Sequence, residues 1–124
     1  MIEQGNTATV TFTTDERATA IALGSGDLPV LGTPKVAALV EEAAVAAIAG
    51  LVDDDYTTVG SHLEIDHYAP TPVGGTVVAT ATVVSVKGRR VDFVATVTAG
   101  EEVVARAAHV RFVVNRGSFM DSVS

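Results

Sequence analysis

The amino-acid sequence predicts an α+β fold in which an antiparallel sheet of about five strands wraps around one long central helix. Two observations support this prediction. The elements follow the order strand, short helix, long helix and then four strands with short connecting loops, and short loops favour antiparallel neighbours. The long helix, "GTPKVAALVEEAAVAAIAG" at 32–50, is apolar on almost all sides, so most of it must be covered. A sheet that curls around the helix meets both requirements.

The helical segments begin at recognisable residues. A helical turn is predicted at 15–22, with Asp15 as its N-cap. Thr33 followed by Pro34 is typical of a helix start, with the threonine as N-cap and the proline in the first helical position. The long helix is expected to end just before Gly50.

The strands are predicted from alternating, β-forming segments bounded by turn residues. They lie at 7–13, 56–69, 76–87, 89–99 and 103–115. Counting by twos along the second strand places Val59, Ser61, Leu63, Ile65 and His67 on one face and Gly60, His62, Glu64 and Asp66 on the other. This element order is that of the hotdog architecture. A ferredoxin-like fold would need a second long helix between the later strands, and the sequence predicts none.

Length and charge limit the possibilities further. The 124 residues suffice for one domain, so we expect a single domain over 1–124 with a loose tail at 116–124. The formal net charge is −7. The only basic cluster is Lys87, Arg89 and Arg90 beside a turn glycine. This balance argues against a nucleic-acid partner.

The composition also bears on location and on metals. Cysteine is absent, which excludes disulfides and fits a reducing cytosol. The start "MIEQGNTATV" lacks the basic and apolar segments of a signal peptide. The longest apolar run carries Glu41 and Glu42 at its middle, so no membrane span is predicted. We therefore expect a cytoplasmic protein. Its three dispersed histidines predict no metal site.

Several polar residues lie where apolar ones are expected. A carboxylate enclosed at Glu41 or Glu42 would indicate a functional site, whereas a solvent-facing strip would explain both residues without one. His67 falls on the apolar face of its strand, where it is either an acid–base group or a structural histidine bonded to a backbone carbonyl. His109 and Arg111 share one face of the last strand, which favours a structural or interface pair.

The spacing of these residues forms a pattern. Thr33 precedes Glu41 by eight residues, and His67 opens the turn "HYAPTPVG". Gly60 stands seven residues before that histidine, and "HVR" in the last strand ends in Arg111. The hairpin "VKGRRVDF" completes the set. Together these motifs resemble the thioesterase-like hotdog family typified by fluoroacetyl-CoA thioesterase.

The resemblance covers roughly residues 30–119. It implies hydrolysis of an acyl thioester, with acyl-CoA as the small-molecule substrate, coenzyme A as part of that substrate and no further cofactor. It also implies a homodimer or a dimer of dimers with sites at the interface. The net charge of −7 disfavours docking to an acidic acyl-carrier protein.

The resemblance also assigns roles. It implies catalytic roles for Thr33, Glu41 and His67 and substrate-binding roles for Gly60 and Arg111. The threonine hydroxyl would attack or orient the carbonyl, the glutamate would activate it or a water or attack directly, and the histidine would act as acid–base group. The glycine N–H is a candidate oxyanion donor. Because eight residues of helix span ~12 Å, a direct contact between Thr33 and Glu41 within one chain is not expected. Thr33 of one chain is instead expected to meet Glu41 or His67 of another.

One departure from the family pattern affects the substrate. The fluoroacetyl-specific member carries an aromatic-bearing lid before the threonine, whereas "LGSGDLPVLG" at 23–32 has no aromatic residue. Fluoroacetyl-CoA is therefore not the predicted substrate. Two alternatives stay open: a non-catalytic acyl- or CoA-binding module, and an enoyl-thioester hydratase. The hydratase is disfavoured because its Asp and His belong on a loop-and-helix element, and Asp66–His67 lies in a predicted strand.

Overall fold

A computed structural model describes residues 1–123. Its five strands form one antiparallel sheet in the order β1-β3-β4-β5-β2. The strands are β1 Thr7–Thr13, β2 Tyr56–His67, β3 Thr76–Lys87, β4 Arg90–Ala99 and β5 Glu102–Asn115. The helices are α1 Ala20–Leu23, α2 Thr33–Ala47 and α3 Arg116–Asp121, and a 3₁₀ turn precedes α1 at Glu16–Ala18. The predicted hotdog fold is confirmed.

Helix α2 lies across the concave face of the sheet and packs mainly on β1 and β3. Its buried residues are small or medium aliphatics, which let the sheet approach closely: Val36, Leu39, Val40, Ala43, Ala44 and Ala47. They meet the fully buried inward side chains of β3, such as Val77 and Val83. The chain leaves one strip of α2 uncovered, including Ala38, Glu42 and the 47% exposed Val45.

The start of α2 differs from its prediction. Gly32, not Thr33, is the N-cap, and no side chain caps the helix. Gly32 has an extended backbone and Thr33 is the first helical residue. The Thr33 hydroxyl does not cap the helix and is bonded instead to a histidine at the end of β2. At the earlier turn, Asp15 does accept a hydrogen bond from the backbone N–H of Ala18, as predicted.

Strand β2 contains a bulge that the alternation did not predict. Its pairing with β5 shifts between Gly60 and His62, so Ser61 is an extra residue without a direct partner. Gly60 pairs with Arg111, and Leu63 pairs with His109. Gly60 therefore faces the helix together with Leu63, and the prediction that it faces the opposite side was wrong.

The same bulge corrects a second assignment. Val59 pairs with Phe112 on the outer face of the sheet, although simple alternation placed it with Leu63 and His67 on the inner face. Counting by twos fails here because one inserted residue reverses the facing of everything on its N-terminal side.

The expectation of a loose tail at 116–124 was also wrong for most of that segment. Helix α3 follows β5 directly, and the side chain of Asn115 caps it by accepting from the N–H of Ser118 at 3.0 Å. Arg116 Nε donates to the carbonyl oxygen of Asp54 at 2.8 Å. Residue 124 lies outside the described residues.

Candidate active site

The N-terminus of α2 meets the C-terminal end of β2 through a hydroxyl–imidazole pair. Thr33 Oγ1 and His67 Nδ1 lie 2.8 Å apart. The threonine is exposed and the histidine is half-buried. The other ring nitrogen, His67 Nε2, is buried and has no hydrogen-bond partner among the described residues. A hydroxyl bonded to an imidazole can lose its proton to the ring or be oriented by it.

A cavity of about 250 Å³ opens beside this pair. Its walls come from the segment before α2, including Ala20 and Val30, and from Tyr68 and Ala69 after β2. The segment is held in place by isolated bridges that pair Leu31 with Thr19 and Val30 with Pro72. The cavity is thus a fixed, mostly small-residue pocket next to an acid–base pair.

A second polar group lies farther along α2, around Glu41. Arg111 Nη1 donates to Glu41 Oε2 at 3.0 Å, and His109 Nε2 lies 3.7 Å from the same oxygen. The glutamate side chain is 44% exposed, whereas those of the arginine and the histidine are 8% and 1% exposed. Arg111 is anchored below by Thr58, whose hydroxyl accepts from Nε at 2.9 Å and whose carbonyl accepts from Nη2 at 3.1 Å. A buried cation therefore holds one oxygen of a carboxylate that solvent can still reach.

The tautomer of His109 follows from its contacts. Its Nδ1 lies 2.7 Å from the carbonyl oxygen of His62, which can only accept, so Nδ1 carries the proton. Nε2 is then a free acceptor, and Arg111 Nη1 donates to it at 3.2 Å. Burial lowers the pKa of His109, with the nearby Arg111 charge adding to the effect and the bond to His62 opposing it. The imidazole is therefore neutral near pH 7.

Gly60 lies directly beneath this group. A Cβ atom at this position would collide with Glu41 Oε2 and would sit 3.2 Å from both Arg111 Nη1 and His109 Cε1. The absence of a side chain at Gly60 is what leaves room for the carboxylate. The glycine was predicted as an oxyanion donor, and its packing gives it a second, steric reason to be glycine.

The predicted residues thus form two groups within one chain. The structure brings Thr33 together with His67, and it brings Glu41 together with Gly60 and Arg111. It does not bring the two groups to each other. Glu42, the neighbouring carboxylate, is exposed.

Sequence reasoning missed the contribution of His109. The only signal was its place in the "HVR" triplet, two residues from Arg111 and on the same face of the strand. Within residues 1–123 no cluster of three or more His, Asp or Glu side chains is arranged to hold a metal ion. Over the same residues, no helix combines the length and the apolarity that a membrane crossing needs.

Comparison with known proteins agrees with this architecture. The family model described as fluoroacetyl-CoA-specific thioesterase matches residues 14–117. The solved fluoroacetyl-CoA thioesterase FlK is 27% identical, with a TM-score of 0.92 over 99% of this chain and 96% of that chain. A threonine-to-serine mutant of FlK in complex with acetyl-CoA is 26% identical, with a TM-score of 0.92 over 98% of this chain and 96% of that chain.

More distant relatives share the fold. A hypothetical Thermus thermophilus protein of the thioesterase superfamily is 17% identical, with a TM-score of 0.91 over 99% of this chain and 91% of that chain. No curated protein matches the sequence. The family match spans most of the chain, so the protein belongs to the fluoroacetyl-CoA-specific thioesterase family and is a thioester hydrolase of the hotdog fold.

Proposed function

We propose that the protein is an acyl-CoA thioesterase whose active site is shared between two copies of the chain. Thr33 and His67 come from one copy, and Glu41, Gly60 and Arg111 come from the other. Family membership supports the reaction class, and relatives in complex with acetyl-CoA, or with fluoroacetate and CoA, support a CoA thioester as substrate.

One observation carries the proposal of a shared site. The hydroxyl–imidazole pair and the Glu41 group lie at different points along the same helix and the same strand. Thr33 and Glu41 are separated by two turns of α2, ~12 Å along its axis. His67 and Gly60 are separated by most of β2, roughly 20 Å at ~3.3 Å per residue. Neither half has all the groups that thioester hydrolysis requires, and the two halves are too far apart to serve one carbonyl carbon.

A two-fold axis would unite the halves. Strand β2 is an edge of the sheet, and its outer side is unpaired within residues 1–123. Antiparallel pairing of two β2 strands, with the axis near Leu63 and Glu64, would bring the His67 end of one beside the Gly60 end of the other. The same axis would cross α2 near Ala38, an exposed small residue that lets two helices approach closely.

The chemistry then follows from the assembled groups. Glu41 attacks the thioester carbonyl or takes a proton from a water that attacks it, and Arg111 holds the second carboxylate oxygen in place. The Gly60 N–H stabilises the oxyanion. Thr33 and His67 orient the carbonyl, and the imidazole passes a proton through the Thr33 hydroxyl to the departing thiolate and regains one from the water that is consumed. In either course the C–S bond breaks, the hydroxyl of one water joins the acyl carbon and its proton leaves with the thiol.

The acyl group is proposed to be other than fluoroacetyl. The segment before Thr33 lines the cavity through Ala20, Ser25, Val30 and Leu31, without an aromatic side chain. Nothing in this wall distinguishes a C–F from a C–H bond. We expect kcat/KM for fluoroacetyl-CoA and acetyl-CoA to agree within about tenfold, a difference of ~1.4 kcal/mol. A ratio of several orders of magnitude in favour of fluoroacetyl-CoA would contradict this part of the proposal.

Subunit complementation tests the shared site. Thr33→Ala and Glu41→Gln chains are co-expressed with different affinity tags, and the mixed dimer is isolated through both tags. Thiol release from a panel of acyl-CoAs is then measured for each homodimer and for the mixed dimer. A shared site leaves each homodimer at about a tenth of the wild-type rate or less and gives the mixed dimer one intact site of two, about half of the wild-type rate.

The other outcomes are equally informative. A mixed dimer as inactive as its parents would show that the catalytic set lies within one chain. A wild type that binds acyl-CoA but releases no thiol from any of the panel would instead support a non-catalytic binding module. A monomeric wild type would refute the proposed two-fold assembly.

A further inference from the structure

We propose that His109 is a positioning residue for the thioesterase reaction. As a neutral acceptor it holds the guanidinium of Arg111 in the orientation that fixes Glu41. The inference rests on the proposed function, because it assumes that Glu41 acts in catalysis. It assigns a role to a side chain that touches neither substrate nor the Thr33–His67 pair.

The two hydrogens on Arg111 Nη1 have different acceptors. One points to Glu41 Oε2 at 3.0 Å and the other to His109 Nε2 at 3.2 Å. The remaining nitrogens, Nε and Nη2, are bonded to Thr58. Without the acceptor at His109, one N–H of a buried guanidinium would have no partner. The guanidinium would then lose one of the contacts that fix its orientation, and it could shift toward solvent beside the partly exposed Glu41 in search of another acceptor.

The imidazole of His109 is held in place on its other side as well. Its Nδ1–H is held by the carbonyl of His62 at 2.7 Å, and its ring stacks on Phe93 with centroids 5.9 Å apart. These contacts fix both the tautomer and the plane of the ring. His62 adjoins the bulge in β2 that turns Gly60 toward the helix. The one imidazole therefore connects the bulge, the arginine and the carboxylate.

Protonation of His109 would disrupt this arrangement. The charged or titratable groups facing His109 are Glu41 from α2, Arg111 on its own strand and His62 from β2. A proton on Nε2 would abolish the acceptor and set two cations 3.2 Å apart. The new N–H would compete for Glu41 Oε2, which is 3.7 Å away. Acid would thus break the Arg111–Glu41 geometry without reaching either of those groups directly.

Two substitutions separate the acceptor from the rest of the ring. In His109→Gln the amide oxygen can reach the place of Nε2 and accept from Arg111, and the side chain does not titrate. In His109→Asn the amide nitrogen can reach the place of Nδ1 and donate to His62, but Arg111 loses its acceptor. Near pH 8 we expect kcat to stay within about threefold in the glutamine variant and to fall about 10- to 100-fold in the asparagine variant, with KM little changed.

The pH profile supplies a readout that a purely structural role would not move. Protonation of His109 should add to the loss of wild-type activity in acid. The ratio of the His109→Gln kcat/KM to the wild-type kcat/KM should therefore increase as the pH is lowered from about 8 to about 5. His62→Gln is the matched control, because that side chain is exposed and its carbonyl is retained. It should change the ratio far less than His109→Gln does, because the charge of His62 is only a minor influence on the pKa of His109.

The outcomes distinguish this inference from the proposed function. If Glu41→Gln retains activity, the catalytic role of Glu41 fails, and the present inference fails with it. If Glu41→Gln is inactive while His109→Asn matches wild type, only the inference is overturned. A pH-independent ratio for His109→Gln would overturn the protonation step. If His109→Asn does not fold, the pH profile of His109→Gln alone decides whether the inference holds.

Discussion

The two polar groups along α2, one around Thr33 and one around Glu41, differ in how completely the protein satisfies their hydrogen bonds. Around Thr33 the chain provides one hydrogen bond, an open cavity and an imidazole nitrogen left without a partner. Around Glu41 it provides a buried arginine with four hydrogen bonds and a buried neutral histidine that is itself bonded to a backbone carbonyl. The first group is adaptable and incomplete, whereas the second is rigid and already satisfied on its protein side. A site assembled from both would pair a preorganised carboxylate with a substrate-facing acid–base pair.

The largest effect is expected from Glu41→Gln. Its amide oxygen can still accept from Arg111, so the rigid group should persist while the carboxylate chemistry is lost. We expect kcat to fall by about 10²–10⁴ in a thiol-release assay, with little change in the melting temperature. A loss below about tenfold would mean that the rigid group is only structural.

Thr33→Ala is expected to lower kcat by about 10- to 100-fold, because the carbonyl and the imidazole lose the hydroxyl between them. Thr33→Ser keeps that hydroxyl and should retain most activity. Neither change should destabilise the fold, since Thr33 is exposed and Gly32 is the helix N-cap. Denaturant unfolding checks this. A loss of about 1 kcal/mol in the free energy of unfolding of Thr33→Ala would instead support the predicted role of Thr33 as a helix cap.

Gly60→Ala tests how closely the rigid group is packed. The new methyl group would displace Glu41 and crowd Arg111, so we expect a loss of about 1–3 kcal/mol in the free energy of unfolding. Activity should fall as well. Gly117→Ala is the matched control, because its Cβ would only approach Asn115 Oδ1 at 3.5 Å, an ordinary contact. Equal stability of the two variants would contradict close packing of Glu41 against Gly60.

The smallest expected effect is a pH dependence of stability. Burial lowers the pKa of folded His109 below its usual 6.5, so the unfolded chain binds a proton more readily than the folded chain does. The stabilisation is fully present above about pH 6.5 and is lost as the pH falls through the lowered pKa. Urea unfolding of wild type and His109→Gln across this range should show a steeper acid decline in the wild type. Parallel curves would exclude a titrating histidine.

Much of the fold was predictable, for physical reasons. The bounds of β1 and β3 were predicted as 7–13 and 76–87, where the structure has them, because alternating β-branched residues end there in turn residues. The antiparallel sheet and the central helix followed from element order and burial. The prediction of a loose tail was wrong because α3 begins at a cap formed by Asn115 and has no apolar pattern that would reveal it in the sequence.

The site was predictable in its residues but not in its arrangement. Spacing along the chain identified Thr33, Glu41 and His67, yet it could not assign which pairs meet within one chain. Thr33 was misread as a cap because its hydroxyl bonds His67, a contact between distant segments. His109 was interpreted as a structural partner of Arg111. Strand alternation predicts which face a side chain lies on, but it cannot predict that the His109 ring also bonds the carbonyl of His62 on the neighbouring strand.

The bulge at Ser61 makes the chemistry of this chain a matter of parity. One residue decides whether the odd or the even positions of the strand before it face inward. If Ser61 paired regularly with β5 instead of bulging, Thr58 and Gly60 would both turn to the outer surface, and Arg111 would lose its two bonds to Thr58. Ser61 would then place a side chain where Glu41 now rests. Deleting Ser61 has the opposite consequence, because His62 and Gly60 become neighbours in a regular ladder and Gly60 keeps its inward position. The arrangement around Glu41 can thus be lost through a change of strand pairing alone, with every side chain unchanged.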